Sequence, residues 1–493
     1  MSTQLTTPPA PRRAALAVIA KVAVLGLCVA AVAVGLAPRA RSVEVVAFEG
    51  SYPRDVKPTG VVREVELVAA PTELPLLDGR RLAVWAYNNQ VPGPTIHVRV
   101  GETLRATLVN HLPEASTIHW HGQRLPNAMD GVPGITQPPV EPNGKFVYEF
   151  TPRDAGTFWF HPHLSSSEQV ERGLFGVLIV DEATPAQQPA YSRDVVWVLD
   201  DWRLGGDGQI DPNFVTRHDL MHDGRWGQQV TVNGHSDEKL LVRAGERVRL
   251  RLLNVANGRV FVPDFASADL HAQAIAVDGM YAARPFDPKG FELPPGARLD
   301  VDLSIPASAR GNRFIVNDCF FNDCHRLATI EVTPEEPVAP PAFASPARAR
   351  IPAWSYQPQR PPTAEYRINA RAGGEHGIEW TLNGEAFTHA QHSMKGQHAP
   401  ANVKTLPVGK YSVLRFTNDS FRLHPMHLHG TFFKLLARNG VAVDEPHWRD
   451  TVLVHSKETV DVGLVPLERG SWMMHCHILE HAESGMMTTV DVR

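Results

Sequence analysis

The sequence predicts an all-β protein built as three consecutive sandwich domains, and three observations carry that prediction. A turn-plus-strand unit recurs three times, as Val100-Gly101-Glu102 to Asn110, Ala244-Gly245-Glu246 to Asn254 and Val408-Gly409-Lys410 to Asn418. Each unit alternates apolar and polar residues, as in RATLVN, RLRLLN and VLRFTN, which is the period of a strand with one buried face. The units start far enough apart for each to belong to its own sandwich, and too far apart for a solenoid. Second, 41 prolines and 37 glycines punctuate the chain in short bursts, and no stretch of the body reads as a long amphipathic helix. Third, 493 residues suffice for two to four domains, and 43% hydrophobic with 20% charged residues suits a folded chain rather than a disordered one.

Taken in order, residues 1–41 read as an address. Arg12 and Arg13 precede an apolar run from Ala14 to Ala37, broken only by Lys21. This pattern predicts an export signal or a single membrane anchor, with cleavage favoured. The arginine pair hints at the twin-arginine route. The chain is therefore expected on the periplasmic or extracellular side, as a monomer. Five bases and no acid fall in this segment. Without them the chain holds 43 bases against 53 acids, which argues against a nucleic-acid partner.

The first domain is expected over 55–183 and the second over 184–333. Nine prolines between Pro334 and Pro362 predict a linker over 334–363, because proline pairs poorly into a sheet. The third domain is expected over 364–493. A second repeat ties the first domain to the third: Gly156-Thr-Phe-Trp-Phe-His161-Pro-His163 matches Gly470-Ser-Trp-Met-Met-His475-Cys-His477, and His119-Trp-His121-Gly122 matches His427-Leu-His429-Gly430. The second domain has no such counterpart and reads as a spacer.

Ten of the 23 histidines fall into four groups: His119-Trp-His121, His161-Pro-His163, His424-Pro-Met-His427-Leu-His429 and His475-Cys-His477-Ile-Leu-Glu-His481. On a strand, residues i and i+2 share a face, so each His-x-His pair presents two imidazoles together. Four pairs, related by an internal repeat, predict one cleft lined by eight imidazoles. That is too many for a structural zinc, which takes four ligands. Imidazole suits copper. Cys476 points away from the face that His475 and His477 share. With His424, His481 and a weak axial Met486 it makes the donor set of a blue-copper electron-transfer site. Packing alone is the competing role for Met486, which adjoins Met487.

These motifs, H-W-H-G, H-P-H, H-P-M-H-L-H-G and H-C-H-I-L-E-H-A-E-S-G-M, resemble those of the multicopper oxidases in their three-domain, laccase-like bacterial form. The resemblance spans roughly residues 55 to 493. It implies three cupredoxin-like Greek-key sandwiches and four coppers per chain, one type 1, one type 2 and two type 3. It implies a type 1 copper on His424, Cys476 and His481 with Met486 axial, and a type 2 copper on His119 and His427. It implies one type 3 copper on His121, His161 and His477, and the other on His163, His429 and His475. Asp130 matches an acid that family members place near the type 2 copper, implied to move protons; a turn aspartate before Gly131 is the other reading. Ala482 stands where many bacterial relatives carry a glutamate, so a second proton donor is absent there. Glu480 and Glu483 lack the right offset.

The resemblance implies electrons from a small reductant, phenols or aromatic amines, passed to O2. Oxidation of Cu(I) is the alternative. Met-rich inserts are absent, although His389, His392, Met394 and His398 leave open an extra copper in a loop that otherwise reads as solvated. Nitrite reduction and a copper-free scaffold are disfavoured by the complete set of ligands. Cys319 and Cys324, five residues apart, are expected to pair as a disulfide in an oxidising compartment. A metal site with His325 is the alternative.

Overall fold

The computed structural model describes residues 56–493 except 78, 188, 266–269, 321–323, 343–359 and 389–401. The segment 1–41, most of the proline-rich linker, and His389, His392, Met394 and His398 lie outside the described residues. No helix among those described is long and apolar enough to cross a membrane.

The chain folds as three consecutive β-sandwiches. In the first, a sheet ordered Arg80–Tyr87, Val62–Leu76, Thr103–Asn110, Lys145–Phe150 packs against one ordered Thr95–Arg99, Gly176–Asp181, Gly156–His161, His119–His121. The second pairs a six-stranded sheet, which includes Arg193–Trp202, Arg247–Asn254 and Arg298–Ser304, with a four-stranded one. The third pairs a six-stranded sheet through Ser412–Asn418 with a five-stranded one ordered Lys404–Leu406, Met487–Val492, Gly470–Cys476, His424–Leu428, Thr451–Val454. Four strands carry the chemistry and a fifth flanks them. They are labelled β1 (His119–His121), β2 (Gly156–His161), β3 (His424–Leu428), β4 (Gly470–Cys476) and β5 (Met487–Val492). Three short helices follow the same order: α1 (Ser166–Glu171), α2 (Arg217–Met221) and α3 (Leu479–Glu483).

The threefold repeat has one structural cause. In each sandwich its strand lies parallel to an earlier strand and antiparallel to a later one. The leading glycines, Gly101, Gly245 and Gly409, all have φ between 69° and 87°, which a side chain resists. The closing asparagine is buried each time and staples the corner that follows. Asn110 Nδ2 donates to Glu114 O and Val140 O while its Oδ1 accepts from Leu112 N–H. Asn254 does the same with Arg259 O, Leu293 O and Ala256 N–H. Asn418 does so with Arg422 O, His455 O and Ser420 N–H.

The middle strand departs from the expected alternation. Thr103–Asn110 up to its last two residues, and Ser412–Asn418 throughout, bury every second residue, but Arg247–Asn254 is buried almost throughout. Its arginines explain this. Arg249 pairs with Asp300 at 2.6 Å, and Arg251 reaches Asp194 and the Thr157 hydroxyl of β2. The outer face of the second sandwich is thus an interface with the first. Cys319 and Cys324 are joined by a disulfide.

Candidate metal centre

β1 and β2 pair so that His119 lies opposite His161, and β3 and β4 so that His427 lies opposite His475. The first and third sandwiches therefore present their histidines across one junction. His119 stacks on His429 with ring centroids 3.7 Å apart, and His121 on His427 at 3.8 Å. His475 Nε2 lies 3.4 Å from His163 Nε2 and 3.2 Å from His429 Nε2, and the three could share one ion. The rings of His121, His161 and His477 lie 5.1 to 5.9 Å apart. His119 falls within ligating reach of both His427 with His429 and His121 with His161. All eight imidazoles are buried.

Five of them have their outer nitrogen fixed. Nδ1 of His119 donates to Asp130 O, of His161 to Pro162 O, of His427 to Asp450 O and of His475 to Cys476 O, at 2.8–2.9 Å. His429 Nδ1 donates to Asp130 Oδ2 at 2.8 Å. That choice of tautomer leaves each Nε2 lone pair for the cavity. There, Nε2 of His119, His161, His427 and His477 has no hydrogen-bond partner. Buried polar atoms are seldom left so, and metal ions are what these atoms lack. Burial, reinforced by neighbouring imidazoles, holds His121, His161, His429 and His477 well below the ordinary histidine pKa. Burial likewise takes His475 down to about 3. Neutral imidazole is the form that ligates metals.

The second donor set lies on the other side of β4. Cys476 Sγ is 3.7 Å from His424 Nδ1 and 4.0 Å from His481 Nδ1, and all three are fully buried. Here the Nε2 atoms are the anchored ones: His424 Nε2 faces the Ser420 hydroxyl, and His481 Nε2 donates to His222 O at 2.9 Å. Nδ1 is therefore left for the metal. Burial pushes the Cys476 thiol up, so an ion must supply the charge that stabilises its thiolate. Met486 is buried in the same core cluster, and its carbonyl accepts from Cys476 N–H.

Asp130 is buried between His119 and His429, touching both. Gly131 allows this: with φ at 79°, its Cα passes so close to Ile118 O that a Cβ would sit 1.8 Å from it. Glu480 and Glu483 are committed elsewhere. Glu480 accepts from Arg225 N–H and Asn257 Nδ2, and Glu483 from the amide and hydroxyl of Ser167 in α1.

Three site residues escaped sequence reasoning. Asp450 Oδ1 lies 3.2 Å from His121 Nε2, Arg298 clamps Asp450 at 2.7 and 3.0 Å, and Asp278 accepts from Asp450 N–H. Burial would raise Asp450, but Arg298 and His427 outweigh it and hold the carboxyl low, while burial and Asp450 raise Asp278. Arg298 and Asp278 come from the second sandwich. That domain contributes none of the ten clustered histidines, yet its residues bond to both donor sets.

Family models of the multicopper oxidases match residues 69–185 and 359–493. A multicopper oxidase structure from Pseudomonas thermotolerans is 30% identical, with a TM-score of 0.75, over 88% of this chain and 100% of that one. The chain belongs to the multicopper oxidase family. Multicopper oxidase MmcO of Mycobacterium tuberculosis is 26% identical over 84% of each chain, and Laccase-2 of Cryptococcus neoformans 25% identical over 84% of this chain and 82% of its own. As a multicopper oxidase the protein is a copper-dependent oxidoreductase. It takes electrons from a reducing substrate and passes them to O2.

Proposed function

We propose that His424, Cys476 and His481, with Met486 as a fourth and weaker donor, would hold a type 1 copper, which would supply a one-electron acceptor. The eight facing imidazoles then hold three more: type 2 on His119 and His427, and type 3 on His121, His161 and His477 and on His163, His429 and His475. The observation that carries this reading is the place of Cys476 on β4, between His475 and His477, so that a single residue of covalent chain joins the two donor sets. When bound, the coppers supply the redox couples through which four single electrons reach O2 and yield water. The protein's own part is to fix geometry and protons. Carbonyls and Asp130 lock the imidazole tautomers, and burial keeps the rings neutral. Asp130 is the carboxyl placed to hand protons to reduced oxygen, since Ala482 offers none.

Phenols and aromatic amines are the proposed reductants. Because His481 is buried, with its outer nitrogen under the His222 carbonyl, electrons must cross a covering layer rather than pass from a substrate in direct contact. That layer favours a second reading, in which Cu(I) is also oxidised. The N-terminal segment supports export to the periplasmic or extracellular side, with the segment either cleaved or kept as an anchor, and the protein is read as a monomer. Oxygen uptake tests the function: about four equivalents of a phenol should be consumed per O2 without peroxide release. Peroxide as the main product would overturn it.

A further inference from the structure

We infer that the C-terminal end of α2 is a docking site for Cu(I), the soft monovalent metal ion that then reduces the type 1 centre through His481. This rests on the second reading above and names the residues that would carry it.

The helix is a fixed cap. Thr216 and Asp219 form a capping box at its start, and Arg203 holds Asp219 at 2.6 Å. Leu220 packs into the core of the third sandwich and accepts from Trp380 Nε1 at 3.0 Å. Asp223, just beyond the helix, accepts from Leu423 N–H at 2.9 Å. These contacts press one face of the cap onto the domain that holds Cys476.

The opposite face carries His218, Met221 and His222, all exposed, with Met221 46% accessible. The spacing i, i+3 puts His218 and Met221 on one side of the helix, and His222, the extended residue just after it, lies against His218. Met221 is exposed and belongs to no buried core cluster. The two rings stack with centroids 4.1 Å apart. His222 Nδ1 donates to His218 O at 2.9 Å, which leaves its Nε2 lone pair free to ligate. Two imidazoles and a thioether form a soft set that suits Cu(I). Asp219 Oδ1 lies 3.8 Å from His218 Nδ1 but is held by Arg203, and Asp223 accepts from Leu423 N–H, so both carboxylates are already engaged.

Position completes the argument. The carbonyl of His222 accepts the Nε2–H of His481 at 2.9 Å. An ion on the His222 ring is thus one residue and one hydrogen bond from a type 1 ligand. Each docked Cu(I) gives up one electron and becomes Cu(II). Four such events, with four protons, reduce one O2 to two waters. The thioether favours Cu(I) over Cu(II), so the oxidised ion leaves.

The test uses the copper-loaded enzyme and the double variant His218→Ala with Met221→Leu. Two readouts are taken: kcat/KM for Cu(I) supplied as its acetonitrile complex, against a phenol, and anaerobic competition with a colorimetric Cu(I) chelator. The expected result is one extra Cu(I) bound by reduced wild type, weakened at least about tenfold in the variant, and a similar loss in kcat/KM for Cu(I) through KM. Phenol oxidation and blue absorption should stay within about twofold. Cu(I) kinetics unchanged in the variant would overturn the docking site, as would no extra Cu(I) on wild type. A loss shared equally by the phenol would also overturn it, placing the effect in the packing of the cap. Wild type without blue absorption would instead bring down the type 1 assignment, and this inference with it.

Discussion

At the scale of the residue, Cys476 carries the most chemistry. Its sulfur meets His424 and His481, and its backbone leads to His475 and His477. Cys476→Ser should abolish blue absorption and turnover, because a hydroxyl stays protonated where a thiolate is needed, while copper in the histidine cleft remains by metal analysis. Retained blue absorption would contradict the assignment. Asp130→Asn keeps an oxygen for His429 Nδ1 to donate to but cannot deliver protons. Reoxidation of the reduced enzyme by O2, followed by stopped flow, should slow by about 10²-fold or more, with blue absorption intact. A change below about threefold would leave Asp130 only its role of holding imidazoles. These residues were legible because each sits inside a short motif whose spacing speaks on its own. Asp450 was not. It lies in an unremarkable run, Trp448-Arg449-Asp450-Thr451, and acquires meaning only when Arg298 and Asp278 arrive from another domain.

At the scale of the element, the strands were legible and their surroundings were not. Alternation in RLRLLN predicts a strand, as found, but not that Arg249 and Arg251 are buried, since that depends on carboxylates from other segments. The closing asparagines show how a local device serves function in one domain only. Asn418 Oδ1 accepts from the Ser420 hydroxyl, which in turn faces His424 Nε2 at 2.9 Å. Asn254 staples an equivalent corner that carries no metal donor. Asn418→Ala and Asn254→Ala should each cost about 1–3 kcal/mol in denaturant unfolding, from buried carbonyls left unpaired. Only Asn418→Ala should shift the visible spectrum. Identical spectra for the two variants would show that the corner does not position His424.

At the scale of the whole molecule, the junction of the first and third sandwiches is the site, and the second locks it. Arg298 bonds Thr157 O in the first and Asp450 in the third while belonging to the second. Arg298→Met leaves Asp450 a buried, uncompensated charge, and should cost about 3–5 kcal/mol of stability, read by thermal unfolding of the copper-loaded enzyme. A loss below about 1 kcal/mol would mean that the domains hold their arrangement without it. The threefold architecture could be read from repeats, because each sandwich carries its own. The interfaces could not, because nothing periodic marks them. Whether the junction holds the proposed ions is the central claim, and copper analysis with electron paramagnetic resonance on the oxidised protein tests it most directly. The account predicts about four coppers per chain, half of them visible to resonance as one type 1 and one type 2 signal, and the type 3 pair silent through coupling. Two coppers per chain, both visible, would contradict it.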